Sequence, residues 1–529
     1  MTGRIDAATL KAWLSDGGEI ALLDVREHGQ HGEGHPFFAV PLPYSRLELG
    51  LGALVPNPAT RLVLCDAANG VAERAARRAD ALGYSNVSVL AGGVEAWRAA
   101  GYTLYAGVNV PSKAFGELVE HARHTPRVTA TALKAMQDAG EDVAILDGRT
   151  FAEFRKMSIP GGVSCPNGEL ALRVDALVPD AKTKIVVNCA GRTRSIVGAQ
   201  TLIDFGVPNP VYALENGTQG WFLAGLQLDH GASRRHETAS FPDLEGLRAR
   251  ACALAAARGV RFVRAEEVEG WLADASRTTY LFDVRTPEEL ARSTSGLVHA
   301  PGGQLVQATD QWIGTRGARV VLVDDEGVRA PVTAQWLRQL GHEAYVLEGG
   351  MAAAVQLAGL RDAAAPRLPD PAPIASHELA ERLHSGRVRL IDLRSSMSYR
   401  KEHIDGAVWS IRPRIAAAVA DPAMTVALIA DEPGVAALVG LDLAEAGVRE
   451  VRLLVGGHEA ARAAGLPVAA TPGTPVDADC IDFLFFTHGR HEGNAEAARQ
   501  YLAWETALVD QLDAQERGSF WMGRSVTVG

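Results

Sequence analysis

One structural unit is written four times along this chain, and that repetition constrains the fold more than any other feature. An apolar strand ending in Asp-x-Arg occurs at Leu22-Leu23-Asp24-Val25-Arg26, Ile145-Leu146-Asp147-Gly148-Arg149, Leu281-Phe282-Asp283-Val284-Arg285 and Leu390-Ile391-Asp392-Leu393-Arg394. A second apolar run follows each (61–64, 184–187, 319–323, 424–429), then a loop, a helical stretch and a glycine at 83, 206, 341 or 447. A third short strand leads into a small-residue turn: Ala91-Gly92-Gly93, Glu215-Asn216-Gly217, Glu348-Gly349-Gly350 or Val455-Gly456-Gly457. Another helical stretch comes after each turn. This alternation predicts an α/β fold, with parallel sheets covered by helices on both faces. Each unit spans about 100 to 130 residues, enough to bury its own core and too long for a solenoid repeat.

The expected domains are 1–105, 125–230, 260–362 and 374–470, followed by a helical C-terminal tail over 475–529. Linkers are expected at 106–127, 230–261 and the proline-bearing stretch 362–373. In the tail, Asp482-Phe483-Leu484-Phe485-Phe486 reads as a strand and 494–515 as one amphipathic helix. The tail is expected to pack back on a domain; the alternative is a surface that docks a partner.

The glycine after the helical stretch sets a register between the units. Cys189 lies 17 residues before Gly206, and the same offset lands on Asp66, Asp324 and Ala430, or on Asp431 with a one-residue gap. Only the second unit carries a thiol there. Its loop, Cys189-Ala190-Gly191-Arg192-Thr193-Arg194-Ser195, joins a buried strand to a helix N-terminus. Loop N–H groups, the helix end and two arginines beside a sulfur favour a thiolate with an anionic ligand next to it. The other loops are acidic, and a carboxylate cannot form a persulfide, so those three units are expected to be catalytically silent. Cys65 falls one position early and reads as a core residue. Cys165 reads as a small buried hydrophobe, with a resolving thiol as the alternative. Cys252 and Cys480 carry no signal.

The net charge of −11 argues against a large nucleic-acid footprint. Five scattered cysteines with no CxxC pair argue against a disulfide framework or a zinc site. No apolar run is long enough to span a membrane, and the first residues lack a signal-peptide core, so a cytoplasmic location is expected. No metal, nucleotide or dinucleotide signature is present, and no cofactor is expected.

Four sets of landmarks in the same order resemble the rhodanese family. They are the Asp-x-Arg strand end, Lys401-Glu402-His403-Ile404-Asp405-Gly406-Ala407, the Cys189 loop, and the Gly-Gly turn before the helix carrying Trp97. The resemblance covers roughly residues 1–470 and is to bacterial proteins with several rhodanese domains in tandem. It implies a sulfurtransferase with one active site. Cys189 would be the nucleophile, taking a sulfane sulfur from thiosulfate or 3-mercaptopyruvate and passing it to a thiol, a cyanide-like acceptor or a protein. Backbone N–H groups of Ala190, Gly191, Arg192, Thr193, Arg194 and Ser195 would cradle the anion, and Arg192 and Arg194 would bind the donor. Arg149 would lie near the site, Asp147 would support the fold, and Trp221 would pack in the core. The unit departs from the family's usual His-Ile-Pro-Gly-Ala with Ser158-Ile159-Pro160-Gly161-Gly162.

Two rivals remain. A relay or scaffold protein would pass sulfur between proteins, with the silent domains as partner surfaces. A cysteine phosphatase or arsenate reductase is disfavoured. A phosphatase loop needs five residues between Cys and Arg, whereas four separate Cys189 from Arg194 and Ser195 holds the expected Arg position.

Overall fold

The computed structural model describes residues 2–236, 241, 243–359 and 368–523. Four five-stranded sheets follow one another, and in each the first strand of the unit pairs with the fifth, then the fourth, second and third. All pairings within these sheets are parallel. In the second unit the order is Arg127–Val128, Val211–Leu214, Lys184–Asn188, Val143–Asp147 and Val163–Ser164. The middle strand is covered on both faces, which is why Ile185, Val186 and Val187 form an unbroken apolar run without alternation. The chain therefore emerges from the centre of the sheet at Cys189. The C-terminal ends of central strands are where parallel α/β sheets build sites.

The Asp-x-Arg motif is a staple, made the same way four times. Arg26, Arg149, Arg285 and Arg394 pair through Nη2 with Asp24, Asp147, Asp283 and Asp392 at 2.6, 2.7, 2.8 and 2.7 Å. The same nitrogen donates to the carbonyls of Gly34, Met157, Ser293 and Glu402, each eight residues on. The motif thus ties each strand end to the end of the helix that follows it. It serves the fold in units with and without a thiol at the Cys189 position alike.

The strand register places Ala430 at the nucleophile position of the fourth unit. Asp392 pairs with Ile429 there, as Asp147 pairs with Asn188 in the second unit, and the next residue is Ala430.

The units join in pairs through equivalent segments. Buried Arg412 of the fourth donates to Glu48 of the first at 2.5 and 2.8 Å and to the Tyr44 carbonyl at 2.9 Å. Between the second and third units, Arg329 reaches Glu169 at 3.2 Å. The backbones at Gly168 and Gly303 approach so closely that a Cβ on Gly168 would lie 2.8 Å from the Gly303 nitrogen.

Two expectations for the tail are corrected, and the first linker carries an element of its own. The linker 106–127 contains the helix Val110–Arg123, whose apolar side is buried. Asp482–Phe486 is a run of turns with no strand partner. The carbonyl of Ile481 accepts from Gln30 of the first unit instead, and Phe483 packs against Phe485 and His488. The helix expected over 494–515 is broken into Ala495–Thr506, Leu508–Gln511 and Ala514–Gly518, because the Asp513–Glu516 capping box starts a new helix. The described part of the tail touches all four units; in the fourth, Ser396 N–H donates to Asp482 at 2.9 Å and Arg400 pairs with Asp477 at 2.7 Å. Gln30 meets the tail in the first and Thr193 in the second, while in the third the Gln339 carbonyl accepts from Trp521 at 2.8 Å. Residues 237–240, 242, 360–367 and 524–529 of the expected linkers and tail lie outside the described residues. Among the described residues no helix is long and apolar enough to cross a membrane.

Candidate active site

Cys189 is buried at 2 % exposure, and its carbonyl is gripped by the small-residue turn. Asn216 and Gly217 both take left-handed backbone conformations, with φ of 61° and 54°. A Cβ on Gly217 would lie 2.3 Å from the Cys189 oxygen, so only glycine allows the turn to sit there. Thr218 then donates its N–H to that oxygen at 2.8 Å, and Gln219 donates both its N–H and its side-chain amide to Ala190 O at 3.1 Å.

From this anchor the loop curls into the helix Thr193–Asp204. Ser195 Oγ donates to Cys189 Sγ at 3.1 Å, the direct side-chain hydrogen bond to the sulfur. The backbone N–H groups of Ala190, Gly191, Arg192, Thr193, Arg194 and Ser195 have no protein acceptor among the described residues. The copies with an aspartate in place of the thiol reveal what such N–H groups hold. In the first unit the Asp66 carboxylate accepts from the N–H groups of Ala68 at 2.8 Å and Ala72 at 3.0 Å. In the third, Asp324 accepts from Val328 at 3.0 Å and Arg329 at 2.9 Å. The equivalent donors in the second unit are Gly191, Thr193, Arg194 and Ser195. The loop is thus an anion cradle, closed by the protein's own carboxylate in two copies and headed by a thiol in one.

The two loop arginines behave differently from each other and from expectation. Arg194 pairs with Glu153 at 2.7 and 2.8 Å, and Glu153 above all, with Cys189 among lesser neighbours, favours its charged form. Burial works against the Glu153 charge, but Arg194 more than offsets this and holds the carboxyl at about 2. Arg192, expected to bind an anionic donor, has its guanidinium engaged by carboxylates and by Asn216 Oδ1 at 3.4 Å. It forms two bonds to Glu117 at 2.7 and 2.8 Å and a third to Glu120. Both carboxylates come from the linker helix Val110–Arg123, which packs on the nucleophile's helix closely enough that a Cβ on Gly116 would lie 2.8 Å from Thr193 Cγ2. Arg149 is occupied by Asp147 and the Met157 carbonyl. Trp221 is buried with its indole N–H on Gln227 O at 2.8 Å, as a core residue.

Sequence reasoning missed the contribution of the tail. Glu505, at 1 % exposure, accepts from Thr193 Oγ1 at 2.8 Å, and a Cβ on Gly191 would lie 2.9 Å from its other oxygen. Tyr501 stands beside it and takes a 2.5 Å bond from Lys113 of the linker helix. Arg490 stacks on Tyr501 with 4.5 Å to the ring centre. Two buried carboxyls near the loop arginines and an Arg-His pair in the tail were the available signals, but nothing local in the sequence points them at Cys189.

Burial pushes Cys65 and Cys165 upward, and Cys65 lies within its strand, opposite Asp24. Cys252 is exposed and Cys480 buried, and none of the five is in a disulfide. Among the described residues no group of three His, Cys, Asp or Glu is placed to hold a metal ion.

Comparison with known proteins gives a consistent picture. The rhodanese-like domain family matches four times, at residues 6–100, 129–224, 264–356 and 375–464. The crystal structure of a thiosulfate sulfurtransferase from Pseudomonas aeruginosa superposes with a TM-score of 0.90 at 42% identity, over 99% of this chain and 100% of its own. An HTH-type transcriptional regulator of Mycobacterium tuberculosis is 33% identical over 109 residues, 21% of this chain and 47% of its own length. The "Putative sulfur carrier protein YrkF" of Bacillus subtilis is 34% identical over 83 residues, 16% of this chain and 44% of its own. The chain therefore spans less than half the length of these two curated relatives. With four matches covering most of its length, the chain belongs to the rhodanese family.

Proposed function

We propose that this protein is a sulfurtransferase that carries a sulfane sulfur on Cys189. The observation that carries the reading is the N–H cradle, which holds a carboxylate in two copies and presents a thiol in the second. In the first half-reaction the Cys189 thiolate attacks the outer sulfur of an anionic donor such as thiosulfate. The new S–S bond forms as the donor's own S–S bond breaks, and its electron pair leaves on sulfite. With 3-mercaptopyruvate the C–S bond breaks instead, and the carbon fragment leaves as the pyruvate enolate, which takes up a proton. In the second half-reaction a thiophilic acceptor attacks the outer sulfur of the persulfide, and the electron pair returns to Cys189 as thiolate.

The chain's own groups serve both steps. The unpaired N–H groups of 190–195 stabilise the charge on the outer sulfur, and Ser195 Oγ–H donates to the inner sulfur each time it becomes a leaving thiolate. Arg194 adds positive potential, while Arg192 acts through the loop, which it fixes to the linker helix. The thiosulfate sulfurtransferase likeness supports the same reaction class. A protein-to-protein relay is less favoured, because a partner's persulfide would have to reach a sulfur that is 2 % exposed beside two packed helices.

The test is mass spectrometry of the reduced protein after incubation with thiosulfate and, separately, 3-mercaptopyruvate. One added sulfur on the Cys189 peptide, absent from Cys189→Ser, is expected. No added sulfur with either donor would sink this reading and move weight to the relay.

A further inference from the structure

The fourth unit carries Ala430 where the second carries Cys189, and a cleft of about 520 Å³ lies beside it at the ends of the strands. The glycine turn stands further off there than in the other units. A Cβ on Gly457 would lie 3.6 Å from the Ala430 oxygen, against 2.2, 2.3 and 2.8 Å for Gly93, Gly217 and Gly350 over Asp66, Cys189 and Asp324. Part of the cleft's lining is apolar, with Leu453 and Leu454 at a strand end and Pro371 and Pro373 on the neighbouring strand.

Three groups around this cleft lack what their counterparts elsewhere hold. His458 lines it and is 5 % exposed, yet neither ring nitrogen has a hydrogen-bond partner. Carboxylate oxygens of Glu402 and Glu459 stand 3.7 and 3.8 Å from Nε2 and Nδ1, beyond hydrogen-bond reach. Buried polar groups without partners are costly, so this imidazole points to a partner from outside the chain. Arg394 spends Nε and Nη2 on Asp392 and the Glu402 carbonyl, while its Nη1 has no hydrogen-bond partner among the described residues. In the third unit the equivalent nitrogen, Arg285 Nη1, is held by the Asp325 carboxylate at 2.8 Å. The last missing group is the loop carboxylate itself. Asp66 and Asp324 accept from the loop N–H groups of the first and third units, which Ala430 cannot do. The N–H groups of Asp431, Glu432 and Gly434, at the start of the helix Pro433–Glu445, accordingly have no acceptor among the described residues. Three acids also line the cleft, Asp370, Asp431 and Glu459, but all are exposed, where water and salt screen them. The charged or polar side chains buried against it are Arg394, at 9 % exposure, and His458.

We infer that this cleft of the fourth unit is a binding site for a small organic monocarboxylate, held by Arg394 and His458 in the place left by the missing aspartate, with its carbon chain against Leu453 and Leu454. The units that keep an aspartate show the same chemistry with a carboxylate of their own. The rim acids set the charge, because a dianion would meet three carboxylates on its way to one buried guanidinium. The apolar lining sets the body, because an inorganic anion has no use for it. The site is separate from Cys189 and does not depend on the sulfur-transfer reading. A unit without a thiol thereby keeps the anion-holding frame of its siblings, to bind rather than to react.

The probe is butyrate, which has one carboxylate and a short apolar chain and carries no sulfur. It is titrated into the full-length protein and followed by saturation-transfer NMR, with butylamine titrated separately and sulfate added as a competitor. Butyrate is expected to bind, butylamine is not, and sulfate at equal concentration should not displace butyrate. Ala430→Asp gives the fourth unit the carboxylate that the first and third already carry, and should weaken butyrate binding about tenfold or more. His458→Phe removes two unpartnered buried nitrogens. It should therefore leave the thermal midpoint of the free protein no lower while weakening butyrate binding about tenfold, a combination that misfolding cannot mimic. Absence of butyrate binding, or binding unchanged by either substitution, would overturn the site. Preference for butylamine would overturn it by making the rim acids the binding groups, and displacement by sulfate would overturn the carboxylate class.

Discussion

At Cys189 the sulfur has one direct side-chain partner, Ser195 Oγ, at 3.1 Å. A hydrogen bond to a charged group is worth about 1.5–3 kcal/mol, so Ser195→Ala is expected to slow persulfide formation by roughly tenfold or more. Rapid quenching followed by mass spectrometry would read this, and an unchanged rate would show that the N–H cradle suffices alone. Asp147 belongs to the same neighbourhood but to a different role. It shares its carboxylate between Arg149 and Asn188, all of them buried. Removing it strands a buried guanidinium, a mechanism that costs about 3–5 kcal/mol. Asp147→Ala should therefore lower the urea midpoint sharply, whereas Ser195→Ala should leave it nearly unchanged.

Between elements, the decisive contact is the linker helix Val110–Arg123 on the nucleophile's helix Thr193–Asp204. Gly116 sits at their closest approach. Alanine there gains about 1 kcal/mol of helix propensity over glycine. Its Cβ, however, would stand 2.8 Å from Thr193 Cγ2 and 3.1 Å from Thr193 Cα, so backbone must move. Overpacking of this kind costs about 1–3 kcal/mol, and the clash is expected to win. Gly116→Ala should lower stability and slow persulfide formation together, because Thr193 opens the helix that follows the cradle. A gain in thermal midpoint would show that the helices separate freely.

Across the whole molecule, buried acids set the response to pH. Burial holds Glu27 and Glu117 up at about 7, against an ordinary 4.5, with partial relief from Ser45 and Arg192 respectively. Between those values the folded protein binds protons that the unfolded chain has already released, so stability falls as pH rises through about 7. His28, His35, His342 and His491, held down chiefly by burial, act in the opposite direction, but their contribution levels off as pH rises above 6.5. The urea midpoint at pH about 8 is thus expected below that at pH about 6.5. Glu27→Gln, which keeps an acceptor for Ser45, should flatten the fall. A midpoint that climbs over that range would contradict the assignment.

The repeat, the parallel sheets and the thiol's place were legible along the chain because each depends on local pattern. Apolar runs make buried central strands, Asp-x-Arg makes its staple within eleven residues, and a one-in-four thiol at a fixed offset marks the candidate nucleophile. Other features needed distant segments to meet. Arg192 could be read as a donor ligand only until the linker helix brought Glu117 from 75 residues away. Asp482–Phe486 has the apolar content of a strand, but it forms none, and the adjoining Ile481 carbonyl accepts from Gln30 of the first unit instead. Glu505 reaches Thr193 across 312 residues. No periodicity or spacing encodes such a meeting, because it follows from how surfaces fit once the units have folded. The thiol and its cradle are therefore properties of one strand-loop-helix segment, whereas the walls around them belong to the assembled molecule.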